Sequence, residues 1–319
     1  MQILKNPFIS IVTPVYNRED CIGKCIENVK SQLYKDYEHI IVDDGSTDKT
    51  RQSVQHYYMN KDVRLRLIMY KNNRGVNYAR NRGIEAVTGK YILFLDSDDY
   101  LLPNSLEIIM HYISDYPNYK HYMFMQTDRV ALLRNNPILS EKVNEVKYED
   151  WLCERISGDF VHVIHIDVLK KYPFFEEFRL YEGLNFLRFY KDTQKQLIIK
   201  ETIVGRERKR KDSLTNEGFL FKKNAIENEF KVNKLFKEYF GNDLKNICNE
   251  NYRSFIKRTI ILGIAACDYI STKHYLNELN ENEPKLNLYR ALILLKMGLP
   301  TKFAIKSLSL IKNTLLTNK

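Results

Sequence analysis

Tyr91-Ile92-Leu93-Phe94-Leu95-Asp96-Ser97-Asp98-Asp99 is the stretch on which the fold turns. Five mostly apolar residues run directly into three carboxylates. The apolar run, entered through Gly89-Lys90, reads as a buried central strand. The acids then fall at its C-terminal end, the edge at which open α/β sheets bind ligands. Clustered carboxylates repel unless a cation sits among them, and hard oxygen donors suit Mg²⁺ or Mn²⁺. A solvated acidic turn is the other reading of the same residues.

Two upstream junctions repeat the pattern of strand followed by polar tip. They are Phe8-Ile9-Ser10-Ile11-Val12-Thr13-Pro14-Val15-Tyr16-Asn17 and His39-Ile40-Ile41-Val42-Asp43-Asp44-Gly45-Ser46-Thr47-Asp48. Between them Ile22, Ile26, Val29 and Leu33 recur at helical spacing. A second helix is expected after Thr47, a strand over 64–70, and a third helix over 77–87 with Gly89 just beyond its end. Strand and helix alternate, which predicts a parallel sheet with helices on both faces and every polar tip on one edge.

These residues resemble the nucleotide-binding half of a family 2 glycosyltransferase of the GT-A fold. The resemblance rests on Ser10-Ile11-Val12-Thr13-Pro14-Val15-Tyr16-Asn17, Val42-Asp43-Asp44-Gly45-Ser46-Thr47-Asp48, Asn73-Arg74-Gly75, Ala79-Arg80-Asn81-Arg82-Gly83 and Asp96-Ser97-Asp98-Asp99, five motifs in order over residues 8–100. It implies a UDP-sugar donor. Tyr16 would stack on the uracil ring, and Asp44 would accept a base N–H. Asp96 would contact the ribose; Pro14, Asn17, Ser97, Arg80 and Asn81 would complete the donor site. Asp98 would hold the metal, with Asp99 beside it. The structural alternatives are a packing role for Tyr16, a turn-forming role for Asp44 and a solvated helix charge for Arg80.

The resemblance also exposes a departure. Many members have Glu-Asp at the start of a helix in the acceptor half, the aspartate being the usual catalytic base. Here the residues are Glu182-Gly183. Either Glu182 takes the proton, or another acid such as Asp159 does, or the chain is inactive. Glu182 could equally be an N-terminal acid facing its helix dipole.

The chain has 319 residues, 44% of them hydrophobic, which suffices for two or three structural units and a sizeable core. The expected division is a GT-A domain over 1–218, with a nucleotide-sugar half to residue 100 and an acceptor half over 101–218, then an all-α unit over 219–319, in which helices over 224–239 and 252–269 are expected to be broken at Gly241. No secretory signal precedes Phe8–Val12, and the longest apolar stretch, Thr259 to Cys267, is too short to span a bilayer. The five cysteines form no metal-knuckle pattern, and Cys21 and Cys25 read as reduced helix residues. A cytoplasmic protein is expected.

The net charge is +10. No nucleic-acid module and no basic–aromatic alternation accompanies it, so nucleic acid is not the expected partner. The charge gathers in two places. Arg206-Glu207-Arg208-Lys209-Arg210-Lys211 falls where relatives of the family carry a loop over the donor diphosphate, and Arg206 and Arg210 are the candidates for holding it. After Glu283 the chain has seven basic residues and no acid, on apolar segments expected to be two helices broken at Leu299-Pro300. Such helices suit an anionic membrane surface, or pack on the body with lysines in water.

The expected activity is inverting transfer of a hexosyl or N-acetylhexosaminyl group from a UDP-sugar to a saccharide or lipid-linked saccharide, in bacterial capsule, O-antigen or related polysaccharide synthesis. A nucleotide-sugar-binding protein without turnover and a nucleotidyltransferase are the rival classes. Release of pyrophosphate rather than UDP would mark the latter.

Overall fold

The computed structural model describes residues 7–59, 64–127, 136–178, 181–206, 224–279 and 285–305. The chain divides into two units, 1–207 and 208–319. The expected boundary at 218 lies outside the described residues.

The first unit is built on one nine-stranded sheet. Its strands are β1 (Ile9–Val15), β2 (Tyr37–Asp44), β3 (Leu65–Tyr70), β4 (Tyr91–Phe94), β5 (Asp99–Leu101), β6 (His121–Gln126), β7 (Val143–Lys147), β8 (Val161–His165) and β9 (Lys195–Arg206). The order is β3-β2-β1-β4-β8-β6-β9-β5, with β7 paired to β9. The first four strands are mutually parallel, as the alternation of elements requires. Beyond β4 the sheet is mixed: β8 runs antiparallel to both β4 and β6, while β6 and β9 are parallel.

The period of two in the strands fills both faces. Ile9, Ile11 and Val15 of β1 join Ile41 of β2 and the buried side of α1 (Ile22–Ser31) in one core. Val12, Ile40 and Val42 point the other way, onto Ala79 and Ile84 of α3 (Val76–Ala86). The two layers approach closely, since a Cβ on Gly83 would sit 2.4 Å from Val12 Cγ1. Among the described residues the unit also contains α2 (Thr50–Met59), α4 (Ser105–Asp115), a short 3-10 turn at Pro137–Leu139, α5 (Tyr148–Leu152), α6 (Ile166–Lys171) and α7 (Glu182–Thr193). Cys21 and Cys25 are free thiols at the start of α1, and burial pushes Cys25 up to about 12.

Glu38 ties the bottom of the sheet together. Its carboxylate is buried on β2 and accepts from Ser10 Oγ, the N–H groups of Thr88 and Gly89, and Arg66 Nη1. Burial pushes its pKa up, but the bonds from Thr88, Ser10 and Arg66 outweigh burial and leave it below the ordinary carboxylate value. Glu38→Gln should therefore cost about 1–3 kcal/mol by chemical denaturation at neutral pH. The depressed pKa stabilises the fold above the carboxylate's unfolded value. The difference between wild type and variant should shrink as pH falls below it. A difference constant down to pH 3 (about the lower end of the titration) would remove the charge from this account.

The second unit is helical: α8 (Ala225–Ile247), α9 (Asn249–Ala265), α10 (Tyr269–Leu276) and α11 (Leu286–Leu294). Two expected breaks move. Gly241 does not end a helix; it lies inside α8 between the buried Phe240 and Leu244, and the chain turns at Cys248. One glycine costs a helix only about 1 kcal/mol, which the burial on either side exceeds. Leu299-Pro300 is not a break either. The chain turns at 295–297, with Lys296 at φ 50°, and residues 298–305 are helical again. Pro300 falls in the first turn of that run, where its missing N–H is not needed. Asp268 caps α10 by accepting from Ser271 N–H. Among the described residues, no helix is long and apolar enough to cross a membrane.

Candidate active site

Strand register assembles the site. Val15 of β1 pairs with Asp43 of β2, which sets Tyr16 beside Asp44. On the other side of β1, Val12 pairs with Phe94, and Leu95 N–H donates to Val12 O, so Asp96 follows at the level of Thr13-Pro14. The three polar tips thus meet at one edge, as the sequence pattern requires.

Asp43 and Asp44, one residue apart on β2, project to opposite faces and do different work. Asp43 is fully buried; it accepts from Ser46 N–H and pairs with Arg51 at 2.5 Å. Asp44 accepts from the N–H groups of Arg74 at 3.0 Å and Gly75 at 2.6 Å, holding the entrance of α3. Gly45, at φ +82°, lets the 72–75 loop come that close, since a Cβ there would lie 2.5 Å from Asn72 C. A base N–H reaching Asp44 would share a carboxylate already shaped by two backbone donors.

Tyr16 is 40% exposed, an aromatic face open at the strand end. Pro14 is buried near the end of β1. Asn17, at φ 52°, donates its N–H to Ser46 Oγ and accepts Thr47 N–H at 2.8 Å, joining the first and second tips. Ser97 is buried in the acidic turn. Asn81 is a latch: its amide nitrogen donates to Phe174 O and Glu176, and its oxygen accepts Phe174 N–H.

Arg80 connects two candidate residues. Its guanidinium, 11% exposed, binds Glu182 Oε1 at 2.5 Å and Asp96 Oδ1 at 3.5 Å. The rings of Phe94 and Phe174 lie 5.8 and 5.6 Å from it. The cation therefore spans from the tip of β4 to the first residue of α7. Gly183 beside it has open space where a Cβ would be.

Arg206 makes a matching bridge. It ends β9 opposite Asp99 of β5, with Tyr100 opposite Gly205. A Cβ on Gly205 would lie 2.2 Å from the Tyr100 ring, so the tyrosine packs flat over the glycine and a larger residue would have to push the ring aside. Arg206 then reaches Asp99 at 3.4 Å and Asp159 at 2.7 Å. Burial, with the neighbouring charges of Asp96 and Asp98, pushes Asp99 up to about 7 against the opposing pull of Arg206. Arg210 lies outside the described residues.

That acidic turn fits a divalent cation only in company. Among the described residues, no group of three or more His, Cys, Asp or Glu side chains is gathered to hold a metal. The repulsion felt at Asp99 is what a cation would relieve. One or two carboxylates completed by substrate phosphates is the usual Mg²⁺ arrangement.

The glycosyl transferase family 2 model matches residues 10–137, the segment carrying the three strand tips. Over that segment the chain is similar to glycosyl transferase family 2. A curated relative, the Campylobacter jejuni GalNAc(5)-diNAcBac-PP-undecaprenol beta-1,3-glucosyltransferase, is 28% identical over 266 residues, 77% of this chain and 81% of that one. An uncharacterized glycosyltransferase of Haemophilus influenzae is 43% identical over 101 residues; the match spans 32% of this chain and only 40% of the relative's length. Among solved structures, S. aureus TarS 1–349 in complex with UDP-GlcNAc superposes with a TM-score of 0.66 at 17% identity, over 94% of this chain and 92% of that one. The mannosyltransferase PcManGT of Pyrobaculum calidifontis, in complex with GDP-Man and Mn²⁺, gives 0.57 at 15% identity, over 95% and 87%. Likeness at these identities concerns the fold, and it is the expected one.

Sequence reasoning missed three residues that shape the site. Gly205 and Tyr100 place Arg206. Glu176 accepts from Asn81 and pairs with Arg74 and Arg82, fastening the 173–178 segment to α3. The signal available was weak: a lone glycine before the basic run, and two acids after Phe174-Phe175.

Proposed function

We propose that this glycosyltransferase moves a sugar from a UDP-sugar to a hydroxyl of a saccharide or lipid-linked saccharide acceptor, with inversion, in bacterial surface polysaccharide synthesis. The observation that supports it most is the meeting of Tyr16, Asp44 and the acidic turn at one sheet edge, with Glu182 fastened to that edge through Arg80. Tyr16 offers a face to the base and Asp44 an acceptor for its N–H. Asp98 and Asp99 would hold Mn²⁺ or Mg²⁺ together with the donor diphosphate. Such a cation, when bound, supplies charge stabilisation to the departing UDP.

The chain's own residues do the rest. With Oε1 of Glu182 on Arg80, Oε2 is the oxygen to take the acceptor hydroxyl's proton. The acceptor oxygen bonds to the anomeric carbon as the bond to the diphosphate oxygen breaks on the opposite face. Arg206 and Arg210 then meet charge developing on the leaving group. For Arg206 this means exchanging Asp159 or Asp99 for phosphate. Asp159 is the rival base.

TarS, solved with UDP-GlcNAc, favours uridine, and the Campylobacter protein's name favours a polyprenyl-diphosphate-linked acceptor. PcManGT, solved with GDP-Man, makes guanosine the competitor. UDP with Mn²⁺ should raise the melting temperature more than GDP with Mn²⁺, and at 100 times Kd the stabilisation should be about 2.7 kcal/mol. Equal shifts would remove the uracil assignment at Asp44.

A further inference from the structure

The C-terminal helices carry an apolar surface that the transfer reaction does not use. In α11, Leu286, Tyr289 and Ile293 are buried within the second unit. Its far end and the helical run that follows present Leu294, Leu295, Leu299 and Phe303, each between 70% and 76% exposed. Single exposed leucines are ordinary, but four large apolar side chains within ten residues are not. Leu299 and Phe303 are four apart on one helix and so share a face.

The turn between the helices is seated firmly. Gly298 N–H donates to Tyr269 Oη, and a Cβ on Gly298 would lie 2.4 Å from Cys267 Sγ and 2.8 Å from Ile264 O. That contact presses the turn against the corner between α9 and α10. Ile270, next to the Tyr269 that holds it, is 88% exposed. The charged residues nearest in sequence are all basic. Lys285, Arg290, Lys296 and Lys302 accompany these residues, and no acid follows Glu283. Lys302 is balanced by Glu227; Lys285, Arg290 and Lys296 are exposed. A second copy would bring like charge against like charge. An anionic bilayer accepts both features, taking the apolar side chains below the headgroups and the cations at them.

We infer that this turn is a peripheral membrane anchor, in which Leu294, Leu295, Leu299 and Phe303 enter an anionic lipid surface. The inference extends the reading of a lipid-linked acceptor but is tested apart from it. The full chain should sediment with phosphatidylcholine vesicles containing phosphatidylglycerol and not with phosphatidylcholine alone, less so at high salt. Leu294→Ser, Leu295→Ser, Leu299→Ser and Phe303→Ser combined should lower partitioning at least about tenfold, because each removes most of a buried side chain's transfer energy. The nucleotide-dependent thermal shift, a property of the first unit, should not change in that variant. Wild-type chain that ignores anionic vesicles, or a variant that sediments like wild type, would overturn the anchor. So would a wild-type dimer in solution that the same substitutions dissolve. Failure of the UDP reading would appear in the thermal shift and leave the vesicle result standing.

Discussion

Glu182→Gln should lower kcat by about 10²–10⁴, the usual cost of losing a general base. It should leave UDP affinity nearly unchanged, because Glu182 begins α7 and lies outside the strand tips assigned to the nucleotide. The amide keeps the size of the carboxylate and removes the oxygen that would take the proton. Arg80 loses one of two carboxylate partners but keeps Asp96 and the two flanking rings. A melting curve and a UDP titration on the variant separate a chemical defect from a folding one. Asp159→Asn is the comparison. Asp159 bonds Arg206 at the other bridge, so its loss should alter the Arg206 side of the site rather than the proton step. Turnover retained in Glu182→Gln and lost in Asp159→Asn would move the base to Asp159.

Asp98→Ala should abolish metal-dependent turnover, an effect of several kcal/mol or about 10²–10⁴ in rate. The fold should survive. Asp98 is one of the charges pressing on Asp99, and removing it relieves repulsion rather than breaking a core contact. The readout besides activity is UDP binding with and without Mn²⁺: wild type should bind more tightly with the cation, and the variant should lose that increment. Full activity in excess chelator, or an unchanged Mn²⁺ increment in Asp98→Ala, would show that the acidic turn does not take a cation.

The parallel half of the fold was legible because its signals are local. Strands β1, β2 and β4 are apolar runs ended by acids or Asn, α1 and α3 have helical spacing, and Gly45 and Gly89 punctuate them. The strands beyond β4 were mostly not legible, since β5 is three residues long and β9 pairs with partners far away in sequence. The site was legible as a set of residue types but not as a set of bonds. Nothing in the string Ala79-Arg80-Asn81 says that Arg80 reaches Glu182 while Asn81 turns the other way to hold Phe174. Nor does the basic run announce that Arg206 already has two carboxylate partners before any diphosphate arrives. Such pairings are decided by register and by loops separated by about a hundred residues, as the spacing of 102 between Arg80 and Glu182 illustrates. The misplaced breaks in the second unit have a simpler cause. Glycine and proline are local signals, and burial around Gly241 and the helix start before Pro300 overrode them.

Acceptor-dependent release of UDP is the measurement that bears most directly on the central claim. Purified chain, Mn²⁺, a panel of UDP-sugars and a polyprenyl-diphosphate-linked oligosaccharide would be combined, and UDP and pyrophosphate followed separately in wild type and Glu182→Gln. The account predicts UDP release with at least one donor, dependent on the acceptor, and lost in the variant. Pyrophosphate in place of UDP, or no turnover from any donor while UDP still binds, would contradict it.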